Sequence, residues 1–235
     1  FRANVAVLLN ITPDHLDRYD NCMQHYVDAK LRILRNQQPD DSFIYWAQDD
    51  HVGLELAKYD VESHIYAFSD TESLAFDAFP TDGMLHITAP VPFEMPLTEL
   101  SLPGRHNLRN SMAAAMAALA AGVAPTDVRR GLSDFPGVEH RLEKVCDVAG
   151  VHYVNDSKAT NVDACRWALE SMTTPVVLIL GGTDKGNDYN EIKELVAQKC
   201  HALVYLGADN GKLHRFFDEM GLPVADTHSM ADCVE

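Results

Sequence analysis

No stretch of the 235-residue chain approaches the ~18 consecutive apolar residues that a membrane-spanning helix requires. Cysteine is scarce. Cys22, Cys146, Cys165, Cys200 and Cys233 are odd in number, widely spaced and without a Cys-x-x-Cys. That argues against a disulfide scaffold and a thiolate zinc site, and for a reducing, cytoplasmic setting. Basic residues are outnumbered, 19 to 35, for a formal charge of −16. Such a balance disfavours general binding to nucleic acid or to an anionic membrane, both polyanions. Three catalytic signatures are missing as well: the G-x-x-x-x-G-K-[ST] phosphate loop, the G-x-G-x-x-G dinucleotide fingerprint and the G-x-S-x-G nucleophile elbow. No cysteine sits in a Cys–His nucleophile pattern, and no internal repeat or low-complexity segment is evident. The first residues, Phe1-Arg2-Ala3-Asn4, are neither an initiator methionine nor a signal-peptide start.

What is present is globular. Hydrophobic residues make up 46% and charged residues 23%, and the length suits one large domain or two modest ones. The chain opens in an apolar run, Val5-Ala6-Val7-Leu8-Leu9, which reads as a buried central strand. A chain seldom begins in a central strand, so a fragment is expected. A polar loop follows at 10–19. A helix is then expected over roughly 21–36, with Met23, Tyr26, Val27, Leu31 and Leu34 as its core stripe. Residues 40–99 alternate short β-rich pieces (43–46, 64–68, 85–88) with Asp, Gly and Pro punctuation. They predict a small, partly antiparallel layer with a helix near 52–59. They also hold 13 acidic residues and one basic residue, Lys58, so most of the negative charge lies there. An Ala- and Met-rich helix is expected over 110–119, ended by Gly122, and a shorter one from Pro125 to about Leu132.

Beyond Arg141 the pattern becomes α/β. Candidate strands at 151–155, 176–180 and 202–206 alternate with candidate helices at 161–171, 189–199 and 211–220. This predicts a mainly parallel, Rossmann-like sheet whose ligands sit at the strands' carboxyl ends. The run Val176-Val177-Leu178-Ile179-Leu180 predicts a strand buried on both faces. The domain boundary is placed at Phe135-Pro136-Gly137, giving domains 1–137 and 138–235.

Three polar stretches follow strands. Asn155-Asp156-Ser157-Lys158-Ala159-Thr160-Asn161 can cap a helix or, with Lys158, receive an anion. Gly181-Gly182-Thr183-Asp184-Lys185-Gly186 reads as an ordinary βα turn or as a close-approach loop whose Lys185 pairs with a carboxylate or phosphate. The opening loop carries His15 between Asp14 and Asp17, which fits a metal site or a solvated loop. Arg141 can clamp a phosphate or make a hinge salt bridge, and Asn107 and Asn110 can cap a helix or recognise a base or ribose.

Four segments occur in one order: Asn10-Ile-Thr-Pro-Asp-His-Leu-Asp-Arg-Tyr19, Gly104-Arg-His-Asn-Leu-Arg-Asn110, Gly137-Val-Glu-His-Arg-Leu-Glu143 and Asn155-Asp-Ser-Lys-Ala-Thr-Asn161. Leu180-Gly-Gly-Thr-Asp-Lys185 supports them, so the match spans residues 10–185. In these segments the chain resembles the Mur ligases of peptidoglycan synthesis, and residues 156–161 resemble the branch that adds D-glutamate. The resemblance implies an α/β fold: the latter part of a central ATPase domain followed by a Rossmann-like, amino-acid-binding domain incomplete at its end. It implies ATP-dependent amide formation through an acyl phosphate, with ATP and Mg²⁺, on UDP-N-acetylmuramoyl-L-alanine and D-glutamate. A cytoplasmic monomer serving cell-wall biogenesis, cell shape and division is expected.

Residue by residue, the resemblance makes His15 a Mg²⁺ ligand and Lys30 a carbamylated lysine, a carbamate being an oxygen anion that suits Mg²⁺. It sets Asn107 and Asn110 near adenine, and Arg141 and Asp156 on ATP phosphate and ribose. Lys158, Thr160 and Lys185 fall on the acidic amino acid and the reacting carboxylate, with Lys158, Lys30 and His15 at the chemistry. The family's phosphate loop, UDP-sugar domain and a metal-binding glutamate would precede Phe1, and a Ser-containing substrate loop would follow Glu235. The chain alone is therefore expected to lack ligase activity. Two alternatives remain. A folylpolyglutamate-synthetase-like glutamate ligase is disfavoured by residues 156–161, and a non-catalytic nucleotide- or anion-binding module by the retention of His15 and Lys30.

Overall fold

The computed structural model describes residues 1–13, 16–182 and 187–234. The chain divides into two compact units, Phe1–Gly137 and Val138–Glu235. No helix among the described residues is long and apolar enough to cross a membrane.

The first unit is built on strands β1 (Val5–Leu8), β2 (Ser42–Trp46), β3 (His64–Phe68), β4 (Ala78–Thr81), β5 (Met84–Ile87) and β6 (Phe93–Pro96). Its helices are α1 (Met23–Leu31), α2 (Asp50–Leu56), α3 (Arg105–Ala120) and α4 (Pro125–Asp134). The strands form one six-stranded sheet in chain order, parallel from β1 to β4 and antiparallel from β4 to β6. The pleat sends neighbouring side chains to opposite faces. Phe43 joins Ala6, Leu8, Val27 and Leu31 in a core under α1, whereas Ile44 joins Phe68, Leu85, Met95, Met112 and Met116 in a core under α3. At the sheet's start, hydrogen bonds from Arg2 hold the buried Asp41 carboxyl down to about 2.

Three expectations change here. The helix expected over 21–36 is α1 followed by a 3₁₀ turn at Arg32–Leu34; Tyr26, Val27, Leu31 and Leu34 are buried, and Met23 packs against them. The 40–99 segment is no separate layer. Its strands extend the β1 sheet, and β4 and β6 were not foreseen. Among the described residues β1 pairs with β2 alone and so stands at the edge, not the centre, of that sheet.

The second unit holds β7 (Glu143–Val148), β8 (Val151–Asn155), α5 (Val162–Ser171), β9 (Val176–Gly181), α6 (Asn190–Lys199), β10 (Cys200–Leu206), α7 (Gly211–Phe217), β11 (Val224–Thr227) and α8 (Met230–Val234). Strands β9, β10 and β11 form a parallel sheet in the order β11-β10-β9. Its core gathers Leu169, Ile192, Val196, Leu203, Tyr205 and Phe217. At the end of α6 the Lys199 ammonium donates to the carbonyls of Leu169, Glu170 and Met172, closing the carboxyl end of α5 at 2.8–2.9 Å.

Here too the sequence reading needs correction. Strand β8 does not enter the parallel sheet. It pairs antiparallel with β7 across a two-residue turn, Ala149-Gly150, whose φ values of 51° and 83° are both positive, as this kind of hairpin demands. Strand β9 is therefore an edge strand among the described residues and is not buried on both faces, with Val177 60% exposed.

Candidate functional site

In the first unit the loop that carries His15 follows the carboxyl end of the parallel strand β1, where α/β ligands bind. Lys30 lies near the end of α1, whereas Asn107 and Asn110 lie on α3, after the antiparallel strand β6. The loop after β1 is fastened by Asp49, which accepts the Ile11 N–H at 2.7 Å and caps α2 through the Val52 N–H at 3.0 Å. His15 lies in that loop but outside the described residues. Lys30 is exposed near the end of α1, with Nζ 5.0 Å from the centre of the Tyr26 ring. The ammonium is exposed at the ring face.

The start of α3 is tied to the end of β3. Asp70, two residues past β3, receives Arg105 Nε at 2.8 Å and Arg109 Nε at 2.7 Å. The Arg109 guanidinium also lies 4.0 Å over the Trp46 ring. This cluster was not foreseen in the sequence. It fixes the first turns of α3, where the Asn107 amide donates to the Pro103 carbonyl at 2.8 Å. Asn110 Nδ2 lies 3.5 Å from Asn107 Oδ1, so the two predicted asparagines touch, and neither is the helix cap, which is Gly104. Asn110 also borders a hollow of about 300 Å³ lined by Val7, Leu9, Ala113, Ala114 and Ala117. A hollow of about 830 Å³ between α1 and the loop before β3, lined by residues such as Arg32, Arg35 and Tyr59, holds none of the predicted residues.

In the second unit the backbone brings Arg141, Asp156, Lys158 and Thr160 into one neighbourhood. Arg141 sits between His140 (φ 66°) and Leu142 (φ 46°), two non-glycine residues in left-handed conformation, so the chain arches at this point. Leu142 N–H donates to Asp156 Oδ1 at 3.0 Å, and Lys158 N–H to the His140 carbonyl at 3.0 Å. The Asp156 carbonyl accepts from Ala159, and the Lys158 carbonyl from Thr160. Asn161 then caps α5 by accepting the Ala164 N–H at 2.8 Å. The Lys158 and Thr160 side chains and that of Arg141 stay exposed. Two cations and a hydroxyl over a helix start suit an anionic ligand.

The glycines at the carboxyl end of β9, Gly181 in the strand and Gly182 just past it, have a structural duty. A Cβ on Gly181 would stand 1.9 Å from the Leu206 carbonyl oxygen of β10, and Gly182 (φ +95°) donates its N–H to that oxygen at 2.9 Å. Lys185 lies outside the described residues. Cys165 and Cys200 are not reactive thiolates, since burial pushes both thiols up to about 11. Among the described residues no group of three or more His, Cys, Asp and Glu could hold a metal ion.

Glu143 and Asn155 belong to the same neighbourhood; both fall within the quoted segments 137–143 and 155–161, but neither has a role of its own in the sequence reading. They face each other across the hairpin, and the signal that would have found them is the short turn at Ala149-Gly150 between alternating runs.

A six-stranded sheet that turns from parallel to antiparallel, followed by a unit with a parallel three-stranded sheet, matches one family across both parts. Residues 1–118 match the Mur ligase middle domain, and residues 140–235 the Mur ligase glutamate ligase domain. The chain belongs to the Mur ligase family. Among curated relatives it is 57% identical over 236 residues to UDP-N-acetylmuramoylalanine–D-glutamate ligase of Bacteroides thetaiotaomicron, covering all of this chain and 53% of that protein. It is 48% identical over 237 residues to the ligase of that name from Porphyromonas gingivalis, again covering 53% of it. The chain thus spans about half the length of the curated relatives it matches. Among solved structures, MurF from Acinetobacter baumannii superposes with a TM-score of 0.75 at 22% identity, over 98% of this chain and 52% of the other. The MurF ligase of Thermotoga maritima in complex with ADP does so with a TM-score of 0.65 at 16% identity, over 98% of this chain and 59% of the other. At these identities the structural likeness speaks to the fold.

Proposed function

We propose that this chain is part of an ATP-dependent ligase that joins D-glutamate to UDP-N-acetylmuramoyl-L-alanine in peptidoglycan synthesis, acting as a monomer in the cytoplasm. The observation that carries this reading is the 57% identity, over the whole chain, to a relative named for that reaction. The arch that sets Arg141 beside the 156–160 turn supports it.

Amide formation from a carboxylate needs activation, because a carboxylate is a poor electrophile. ATP supplies it by phosphorylating the carboxylate, and Mg²⁺ would offset the crowded phosphate charge when bound. His15 and a carbamate on Lys30 would hold the metal, the exposed Lys30 side chain leaving room for the modification. Asn107 and Asn110 would face the adenine. Arg141 would pair with phosphate oxygens, as a planar guanidinium does bidentately, and Asp156 would accept from ribose hydroxyls. Lys158 and Thr160, on the exposed turn before α5, would hold carboxylate oxygens, with Lys185 as a further cation for a substrate that carries two carboxylates. The central domain's remaining ATP-site elements would be supplied by the rest of the protein, so this chain by itself would not turn over.

Phosphate release by the full-length protein with ATP, UDP-N-acetylmuramoyl-L-alanine and either enantiomer of glutamate tests the reading. Release is expected with D-glutamate and not with L-glutamate, and none is expected from the 235-residue chain alone. Equal release with both enantiomers would overturn the substrate assignment.

A further inference from the structure

The Arg141 arch is held at both feet by carboxylates. Asp156 accepts the Leu142 N–H on one side. On the other side Glu143 Oε2 accepts the His140 N–H at 2.8 Å. The same oxygen accepts Asn155 Nδ2 at 3.3 Å. Asn155 also donates to His140 Nδ1 at 2.8 Å and accepts the Ser157 N–H through Oδ1 at 3.1 Å. Glu143 and Asn155 are partners in the β7–β8 register, so their placement is set by the hairpin and not by the loop they brace. His140 and Leu142 both hold a conformation that L-residues avoid. Such a backbone persists only where its surroundings fix it, and on the His140 side Glu143 holds the N–H while the Lys158 N–H holds the carbonyl.

We propose that Glu143 is a positioning residue: by holding the His140 N–H it sets the backbone that presents Arg141 to an anionic phosphate ligand. This rests on the reading of Arg141 as a phosphate-binding group. Glu143 itself makes no contact with the ligand. Its role is to fix the arch in advance, so that Arg141 meets the phosphate without first reorganising. A glutamine retains an acceptor oxygen for the His140 N–H, whereas an alanine removes it.

The test uses the full-length protein with Glu143→Ala, Glu143→Gln, Arg141→Ala and the Glu143→Ala/Arg141→Ala double variant. ADP affinity is measured by calorimetry, and KM for ATP and kcat by phosphate release. Glu143→Ala is expected to weaken ADP binding and raise KM about tenfold, the scale of one lost charged hydrogen bond. Glu143→Gln should stay within about threefold of wild type, and Glu143→Ala should add little once Arg141 is alanine. Amide exchange at His140 should be faster in Glu143→Ala. If Glu143→Ala does not fold, Asn155→Ala, which loosens the same tie from β8, is read in its place. Wild-type ADP affinity in the alanine variant, with Arg141→Ala impaired, overturns the inference and leaves the reading of Arg141 standing. Multiplying effects in the double variant overturn it too. Full ADP affinity in Arg141→Ala overturns the reading of Arg141 and the inference with it.

Discussion

The Arg109 guanidinium meets the Asp70 carboxylate at 2.7 Å with both side chains buried, and its other face lies 4.0 Å over Trp46. That relationship couples three elements, since Trp46 ends β2, Asp70 follows β3 and Arg109 lies on α3. Removing one member of a buried ion pair leaves an uncompensated charge, which typically costs about 3 kcal/mol or more. Asp70→Ala is therefore expected to lower the unfolding free energy of the first unit by that scale, read as a lower urea midpoint at unchanged slope. An unchanged midpoint would mean that the guanidinium finds another partner.

The glycine pair at the end of β9 separates two physical effects. Gly181→Ala drives a Cβ into the Leu206 backbone, which cannot yield without parting β9 from β10, and a loss of about 2–3 kcal/mol is expected. Gly182→Ala meets no atom of the described residues within 4 Å and bears the left-handed backbone, at about 1 kcal/mol. Thermal melts of the two variants should rank in that order, and the reverse order would contradict the packing described.

His214 on α7 makes two contacts with carboxylates, Nε2 to Asp226 Oδ2 at 2.8 Å and Nδ1 to Asp218 Oδ2 at 3.0 Å, with the Tyr205 ring edge-on at 4.9 Å. The Asp218 hydrogen bond, followed by that of Asp226, raises the His214 pKa above its ordinary 6.5. A raised pKa stabilises the folded chain fully below 6.5, and this contribution fades as pH climbs through the folded-state value. The melting-temperature gap between wild type and His214→Gln should be widest near pH 6 and close toward pH 9. A gap independent of pH would show that the histidine acts by packing alone.

Lys30 offers the sharpest test of the metal assignment. Lys30→Ala in the full-length protein should depress phosphate release by about 100-fold or more if the carbamate holds the metal. Added short carboxylates should restore part of the loss. Wild-type rates would remove Lys30 from the chemistry.

Most of this architecture could be read from residue patterns, and the misreadings of the strands share one cause. Apolar periodicity located α1, α3, β9 and β10 because each buries a face of its own, as the stripe Tyr26, Val27, Leu31 does. Pairing is a different kind of information. Val151 to Asn155 alternates like any strand, and nothing within it says whether its neighbour is β9 or β7; the Ala149-Gly150 turn decides, through two positive φ values. The Asp82-Gly83 turn gave a comparable signal for β4, which is short and carries Pro80, a residue that weakens a strand pattern. At the site, the exposed cations were legible as residue types following strands. Glu143 and Asn155 were not, because a brace becomes visible only once the hairpin sets one opposite the other.

The sheet of the first unit has one further consequence, in time. Its β4–β6 portion is a meander whose strands are chain neighbours, Thr81 pairing with Met84 and Ile87 with Phe93, whereas Val5 of β1 must find Ser42. Closing short loops costs less entropy than closing long ones, so the antiparallel side should assemble first and the parallel side be recruited onto it. In pulse-labelled refolding, amides of β5 should gain protection before those of β1. The antiparallel half of the sheet would thus be the seed, and the strand leading into the proposed metal loop the last to arrive.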